Sequence, residues 1–298
     1  MTGEALEGER LRIAISDGDL HVLRFGRKGA PPLLFAHANG FCASAYRQML
    51  MLLGDAFDVY AVDLRGHGKT SLPTENPKHR GLSLFGRDVS ELLDRLADEI
   101  AHARWRLAGH SLGGVAVTFA SAGREDVEEL RLIEPVAMSP YYRMLASTPF
   151  WPLVAGKTYL VRAARRRRAR WRTRSEVFER YRRKGLFKPF AAGVLEDYLE
   201  DGLSDDADGV ALSCAPLWEA TNFAAQADDF WAALKKAPAP VSVLAANHPQ
   251  TSTVSRAAAR RFRQLGASVE IIDGPTHLIP FEAPARAASF LKGETRRD

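Results

Sequence analysis

The 298-residue chain lacks the features that define several large classes of protein. It has only two cysteines, Cys42 and Cys214, far apart and in no ligand-like spacing, which excludes a disulfide framework and points to a reducing compartment. No run of about 20 apolar residues is available to cross a bilayer as a helix. The longest uncharged candidate, MLASTPFWPLVAG, is short and carries two prolines. The first residues, MTGEALEGERLRIAISDG, are acidic and have no apolar stretch of signal-peptide length, so the expectation is a cytoplasmic protein. RGHGKT ends like a phosphate loop, but Asp63 stands where the first glycine of G-x-x-x-x-G-K-T belongs. His67 and His79 have no ligand-like partners, so neither a metal nor a cofactor is expected. Finally, Asp and Glu are absent from the whole stretch between Phe230 and Val269.

What is present suits a soluble protein with a sizeable core: 46% hydrophobic and 26% charged residues. The net charge of +5 belongs to one place, because residues 160–184 hold eleven Arg and one Lys against Glu176 and Glu179. An acidic block, EDYLEDGLSDDAD from Glu196 to Asp208, follows it. Mutual neutralisation of the two blocks is sufficient, and with no recognition motif no nucleic-acid partner is expected. The run RAARRRRARWRTR reads as a helix charged on all sides. Its functional alternative is attraction of acidic substrates or contact with an anionic membrane surface beside the apolar PFWPLV.

Periodicity alternates along most of the chain. LRIAIS and LHVLRFG, bridged by DGD, read as a hairpin. PPLLFAHANG, FDVYAVDLRGHG, WRLAGHS, LRLIEPVA, VSVLAAN and SVEIIDG read as short buried strands. Helical patterns lie between them, including SAYRQMLMLLGD and a long amphipathic one from Leu82 to Ala101. Such alternation predicts an α/β fold with a mostly parallel sheet covered on both faces. Residues 139–232 break the rhythm with helical patterns and no convincing strand. The expected division is a core of 1–138 and 233–298 with a helical insertion at 139–232.

AGHSLGG fits G-x-S-x-G, with the strand WRLA running in and the helix LGGVAVTFA running out. A serine hydroxyl is a poor nucleophile, and a tight strand-to-helix turn gives Ser111 the exposure it needs, with Gly109 and Gly113 leaving room for the turn. The helix start adds the Leu112 N–H, aimed at developing negative charge. His277, in a Gly-Pro loop after the last strand, lies at the sheet edge where open α/β sheets bind ligands and is the candidate base. His37, Asn39, Gly40 and Phe41 of FAHANGF reach the same edge, and the Asn39 N–H is the candidate second oxyanion donor. The flanking side chains His37, Phe41, His110 and Leu278 are the expected substrate contacts.

HANGF, DLRGHGKT, AGHSLGG and DGPTHLIPFEAP, in this order, resemble the α/β-hydrolases with a helical cap. The resemblance covers roughly 200 residues of core and says little about substrate. It implies a Ser-acid-His triad without cofactor. The family's acid commonly follows the seventh strand, where this chain has the carboxylate-free LAANHPQTST. A second location known in the family, used by some haloalkane dehalogenases and lactonases, is the end of the sixth strand. Glu134 of IEPVAM stands there and keeps the order Ser111, Glu134, His277. The competing reading is a Glu134 that only caps or salt-bridges a loop, leaving a dyad helped by Asn247.

The implied activity is cleavage of a small carboxylic ester through an acyl-enzyme, as in carboxylesterases and lipases. Lactonase, thioesterase, carbon–carbon bond hydrolase and perhydrolase reactions share the machinery. Epoxide hydrolases and haloalkane dehalogenases resemble the fold but use an aspartate where Ser111 stands. From another class comes a ligand receptor that has kept a hydrolase pocket.

Overall fold

The strand Pro32–Ala36 shows why helices must cover both sides of the sheet. Leu34 and Ala36 point into one hydrophobic cluster and Leu33 and Phe35 into another, and all four are fully buried. A strand apolar on both faces is stable only between two layers. The computed structural model describes residues 5–74, 79–100, 103–237 and 240–294 and has this three-layer form.

β1 (Ala5–Ile15) and β2 (Gly18–Arg27) form the hairpin, with Ile15 opposite Gly18 across a two-residue turn. They are followed by β3 (Pro32–Ala36), β4 (Asp58–Val62), β5 (Trp105–His110) and β6 (Val127–Ile133). After a long insertion come β10 (Val241–Ala246) and β11 (Ser268–Ile272). The sheet order is β1-β2-β4-β3-β5-β6-β10-β11, antiparallel through β2 and β4 and parallel from there on. The helices Ser83–Glu99, Leu112–Ser121 and Arg256–Gln264 cover one face. The segment Ala43–Ala56 and the helix Pro284–Lys292 cover the other. Leu92, Leu107 and Val117 meet in the first cluster, where truncating a leucine to alanine costs about 2–5 kcal/mol.

The amphipathic pattern from Leu82 is the helix Ser83–Glu99; Ala101, its expected last residue, lies outside the described residues. SAYRQMLMLLGD is not one helix but a single α turn, Arg47–Leu50, between 3₁₀ turns, broken at Gly54 with φ 48°.

Between β6 and β10 the chain forms seven helices among the described residues, together with a small antiparallel sheet that pattern reading did not anticipate. This sheet has β7 (Arg170–Trp171), β8 (Leu203–Asp206) and β9 (Gly209–Leu212) in the order β7-β9-β8. Ala207-Asp208 make the two-residue turn of the β8–β9 hairpin, and Gly209, at φ 145°, opens β9 opposite Asp206, so the turn lay hidden inside the acidic block. The arginine run is likewise not one helix. The helix Tyr159–Arg165 stops within it, β7 follows, and a new helix starts at Arg174. Arg170 and Arg174 pair with Asp206 and Asp205, but much of the acidic block is taken by Arg10 and Arg47 of the core.

Candidate active site

β5 ends at His110 and the helix begins at Leu112, so Ser111 makes the whole turn, at φ 55° and ψ −113°. Among the described residues only two non-glycines have positive φ, Ser111 and Glu134 (φ 48°). A side chain held in that region costs of order 1–3 kcal/mol, and the surroundings must enforce it. Here they do so by hydrogen bonds from one strand tip to the next. Ser111 N–H donates to the Ile133 carbonyl (3.0 Å), Glu134 N–H to Leu244 (2.8 Å) and Asn247 N–H to Ile272 (2.7 Å). A Cβ on Gly113 would strike the Ala36 carbonyl, and one on Gly109 the Gly113 backbone, so both glycines are required by close approach. The Ser111 hydroxyl has no hydrogen-bond partner among the described residues.

Glu134 is fully buried, and its carboxylate meets only donors. Oε1 accepts from Ala246 N–H (2.7 Å) and Ser252 Oγ (2.8 Å). Oε2 accepts from Thr253 N–H (2.7 Å), Thr253 Oγ1 (3.1 Å) and His277 Nδ1 (3.0 Å). Burial alone would raise its pKa. The hydrogen bond and charge of His277, with the two backbone donors, outweigh burial and hold the carboxyl below its ordinary range.

With Nδ1 turned to a carboxylate, the His277 proton sits on Nδ1, and Nε2 carries the lone pair and no partner among the described residues. The backbone of His277 is held on both sides: its N–H donates to Thr251 Oγ1 (3.2 Å) and its carbonyl accepts from His110 Nε2 (2.9 Å). Asn247, the alternative orienter, donates its amide to Asp273 (2.7 Å).

In the loop after β3 most N–H groups are already taken. Ala38 N–H donates to Tyr46 Oη (2.9 Å), Gly40 N–H to His67 Nε2 (3.0 Å) and Phe41 N–H to the Ala38 carbonyl (3.1 Å). Asn39 N–H is left without an acceptor among the described residues, as is Leu112 N–H at the helix start. The Asn39 side chain is clamped from the insertion, donating to the Glu219 carbonyl (3.0 Å) and accepting from Asn222 Nδ2 (2.9 Å). Tyr198 Oη donates to the Gly40 carbonyl (3.1 Å), and half-buried Arg167 bridges Glu219 (2.5 Å) and Tyr198 (3.1 Å).

Two expected substrate contacts are corrected. His37 is fully buried, with Nδ1 donating to the Ala38 carbonyl (2.8 Å) and Nε2 accepting from Leu64 N–H (2.9 Å). His110 is equally buried between Tyr46 Oη (2.7 Å) and the His277 carbonyl. Neither ring has a free nitrogen, and burial depresses the pKa of both. Phe41 is partly exposed in an aromatic cluster with Tyr198 and Phe281, whereas Leu278 is largely buried in the core.

Sequence reasoning missed Tyr46, Ser252, Thr253 and the part played by His67. The hydroxyl-rich QTSTVS in a loop free of carboxylates was the available signal for Ser252 and Thr253; nothing marked Tyr46. Tyr46 Oη accepts from Ala38 and donates to His110 Nδ1, whose Nε2–H reaches His277. One buried chain of hydrogen bonds thus ties the Asn39 loop to the His277 loop through the residue beside Ser111.

A family model described as "Alpha/beta hydrolase family" matches residues 33–290. The chain is 30% identical over 131 residues to the carboxylesterase YbfK of Bacillus subtilis (strain 168), covering 44% of this chain and 42% of that protein. It is 31% identical over 103 residues to 3-oxoadipate enol-lactonase 2 of Acinetobacter baylyi (strain ATCC 33305 / BD413 / ADP1), covering 35% and 36%. The matched segment thus spans less than half of either curated relative. Among solved structures, E-2-(acetamidomethylene)succinate hydrolase superposes with a TM-score of 0.74 at 20% identity, over 96% of this chain and 98% of that one.

Proposed function

The chain belongs to the alpha/beta hydrolase family, and from that membership we propose that it is a serine hydrolase cleaving a small carboxylic ester through an acyl-enzyme. The observation that carries this reading is the Glu134–His277 hydrogen bond (3.0 Å), which leaves Nε2 as the available base on a loop tied through the His277 carbonyl to His110, the neighbour of the strained, unpartnered Ser111. Ser111 Oγ attacks the carbonyl carbon while His277 Nε2 takes its proton. Glu134 keeps the ring in this tautomer and stabilises the imidazolium without taking the proton. The N–H groups of Asn39 and Leu112 bind the oxyanion, the imidazolium protonates the leaving alcohol, and water activated by His277 releases the acid.

We assign residues 139–232 as a cap. Its helix Pro216–Ala224 reaches the oxyanion loop through Glu219 and Asn222, so substrate held by the cap is coupled to oxyanion geometry. Lactonase, thioesterase and carbon–carbon bond hydrolase activities use the same machinery, and one of the relatives is an enol-lactonase. A panel of esters of graded chain length, lactones and thioesters separates them. No helix among the described residues is long and apolar enough to cross a membrane, and Cys42 and Cys214 are buried thiols, which supports a cytoplasmic assignment.

The direct test is labelling with a fluorophosphonate probe. We expect one adduct, on Ser111, absent from Ser111→Ala. Folded protein that leaves Ser111 unmodified would overturn the enzyme reading in favour of a ligand receptor.

A further inference from the structure

Twelve large hydrophobic side chains are exposed among the described residues, and seven of them lie between Tyr141 and Leu160. Six of them occupy three short helices of the insertion, Pro140–Ala146, Trp151–Ala155 and Tyr159–Arg165, and Phe150 stands in the turn just before the second. The inward faces of these helices, through Ala146, Trp151, Ala155, Val161 and Ala164, pack on the helix Pro216–Ala224 and make one layer of the three. Outward stand Phe150 (71% exposed), Leu153 (71%), Tyr159 (82%) and Leu160 (53%). Exposed apolar side chains concentrated on one such segment mark an interaction site.

The charge around the patch says what covers it. Arg162, Arg165 and Arg166 continue the same layer, are exposed, and form no ion pair among the described residues. Their neighbours Arg168, Arg170 and Arg174 do pair, with Glu176, Asp206 and Asp205. From Pro135 to Ser175 the chain has no Asp or Glu at all. A second copy docked by two-fold symmetry would set this basic surface against itself. We propose that this layer is a docking face for an anionic lipid surface, with Phe150, Leu153, Tyr159 and Leu160 entering the headgroup region and Arg162, Arg165 and Arg166 meeting lipid phosphates. Apolar insertion and basic residues together give the two signals that reversible membrane anchoring requires. The inference does not depend on the proposed chemistry, since none of these residues belongs to the site.

The test is co-sedimentation of the full chain with vesicles of equimolar phosphatidylglycerol and phosphatidylcholine, against phosphatidylcholine alone. We expect binding to the anionic vesicles only, weakened when salt is raised from about 0.1 M to 1 M. The charge reversal R162E/R165E/R166E lowers the partition coefficient by about 100-fold or more, and Phe150→Asp with Leu153→Asp abolishes binding by the apolar route. Both variants are surface changes and retain the parent circular dichroism spectrum and melting temperature. Equal binding to neutral vesicles, no binding to either, or vesicle binding unchanged in both variants overturns the proposal. So does a dimer in sedimentation equilibrium that the Asp variant dissociates without any vesicle binding by the parent, which would assign the face to a second copy.

Discussion

Replacing Glu134 by glutamine keeps the size of the side chain and changes only which of its two terminal atoms accept. Five groups donate to the carboxylate, and three of them, Ala246 N–H, Thr253 N–H and His277 Nδ1–H, cannot turn away. If the new amide nitrogen takes the Oε1 place it faces Ala246 N–H, and a buried donor goes unpaired at about 1–3 kcal/mol of stability. His277 then keeps its tautomer but loses the negative charge that stabilises the imidazolium. If the nitrogen takes the Oε2 place it faces Thr253 N–H and also His277, and the ring must move its proton to Nε2, where no base remains for Ser111. Both orientations lower turnover, and the expected loss in kcat is on the order of 10³- to 10⁴-fold. The assay is hydrolysis of a chromogenic ester by parent and Glu134→Gln, with thermal melts of both. A lowered melting temperature with kcat within a few-fold of the parent would refute the assignment and leave Glu134 as a loop organiser.

A second prediction concerns acid stability. Burial keeps His37, His67 and His110 neutral in the folded protein, His67 with a pKa pushed down to about 3. The unfolded chain therefore binds more protons, and stability falls as pH drops below about 6.5, by about 1.4 kcal/mol per pH unit for His67, with His37 and His110 adding in the same direction. Urea denaturation at stepped pH measures this, and stability unchanged or rising from pH 6 to pH 5 would contradict it. Third, Tyr46→Phe leaves Ala38 N–H and His110 Nδ1 unpaired, so stability drops by about 1–3 kcal/mol. Because the chain it breaks sets the Asn39 loop against His277, kcat falls about 10-fold or more while KM stays within about twofold. Unchanged kcat in a merely less stable protein would reduce Tyr46 to a packing role.

How much of this was legible in the sequence depends on the range over which each feature is specified. The alternation of buried strands and helices is local, and so is the G-x-S-x-G turn, whose glycines are demanded by neighbours within a few residues and by β3. His277 and Glu134 were singled out by their place at strand ends and by the missing carboxylate after β10, and a 3.0 Å hydrogen bond joins them. The errors came from features that depend on distant partners. His37 and His110 lie next to reactive positions in the chain, yet their nitrogens are used up by Leu64, Tyr46 and the backbone of His277. The arginine run looked like one helix because charge hides periodicity. Its breaks are set instead by Trp171 pairing with Val210 and by Arg167 turning inward to Glu219. The β8–β9 hairpin was missed for the same reason.

The cradle around Glu134 also bears on what this lineage can become. The end of β10 and the loop after it carry no acid but a set of donors, Ala246, Ser252 and Thr253, all turned to the carboxylate that follows β6. An aspartate placed at Asn247 would meet Asp273 across the contact that the Asn247 amide now makes, and would add a second negative charge near Glu134. Any path that moves the carboxylate from the end of β6 to the end of β10 by single substitutions thus passes through a protein with two competing carboxylates or with none. A carboxylate in this cradle can therefore be relocated only by several changes at once.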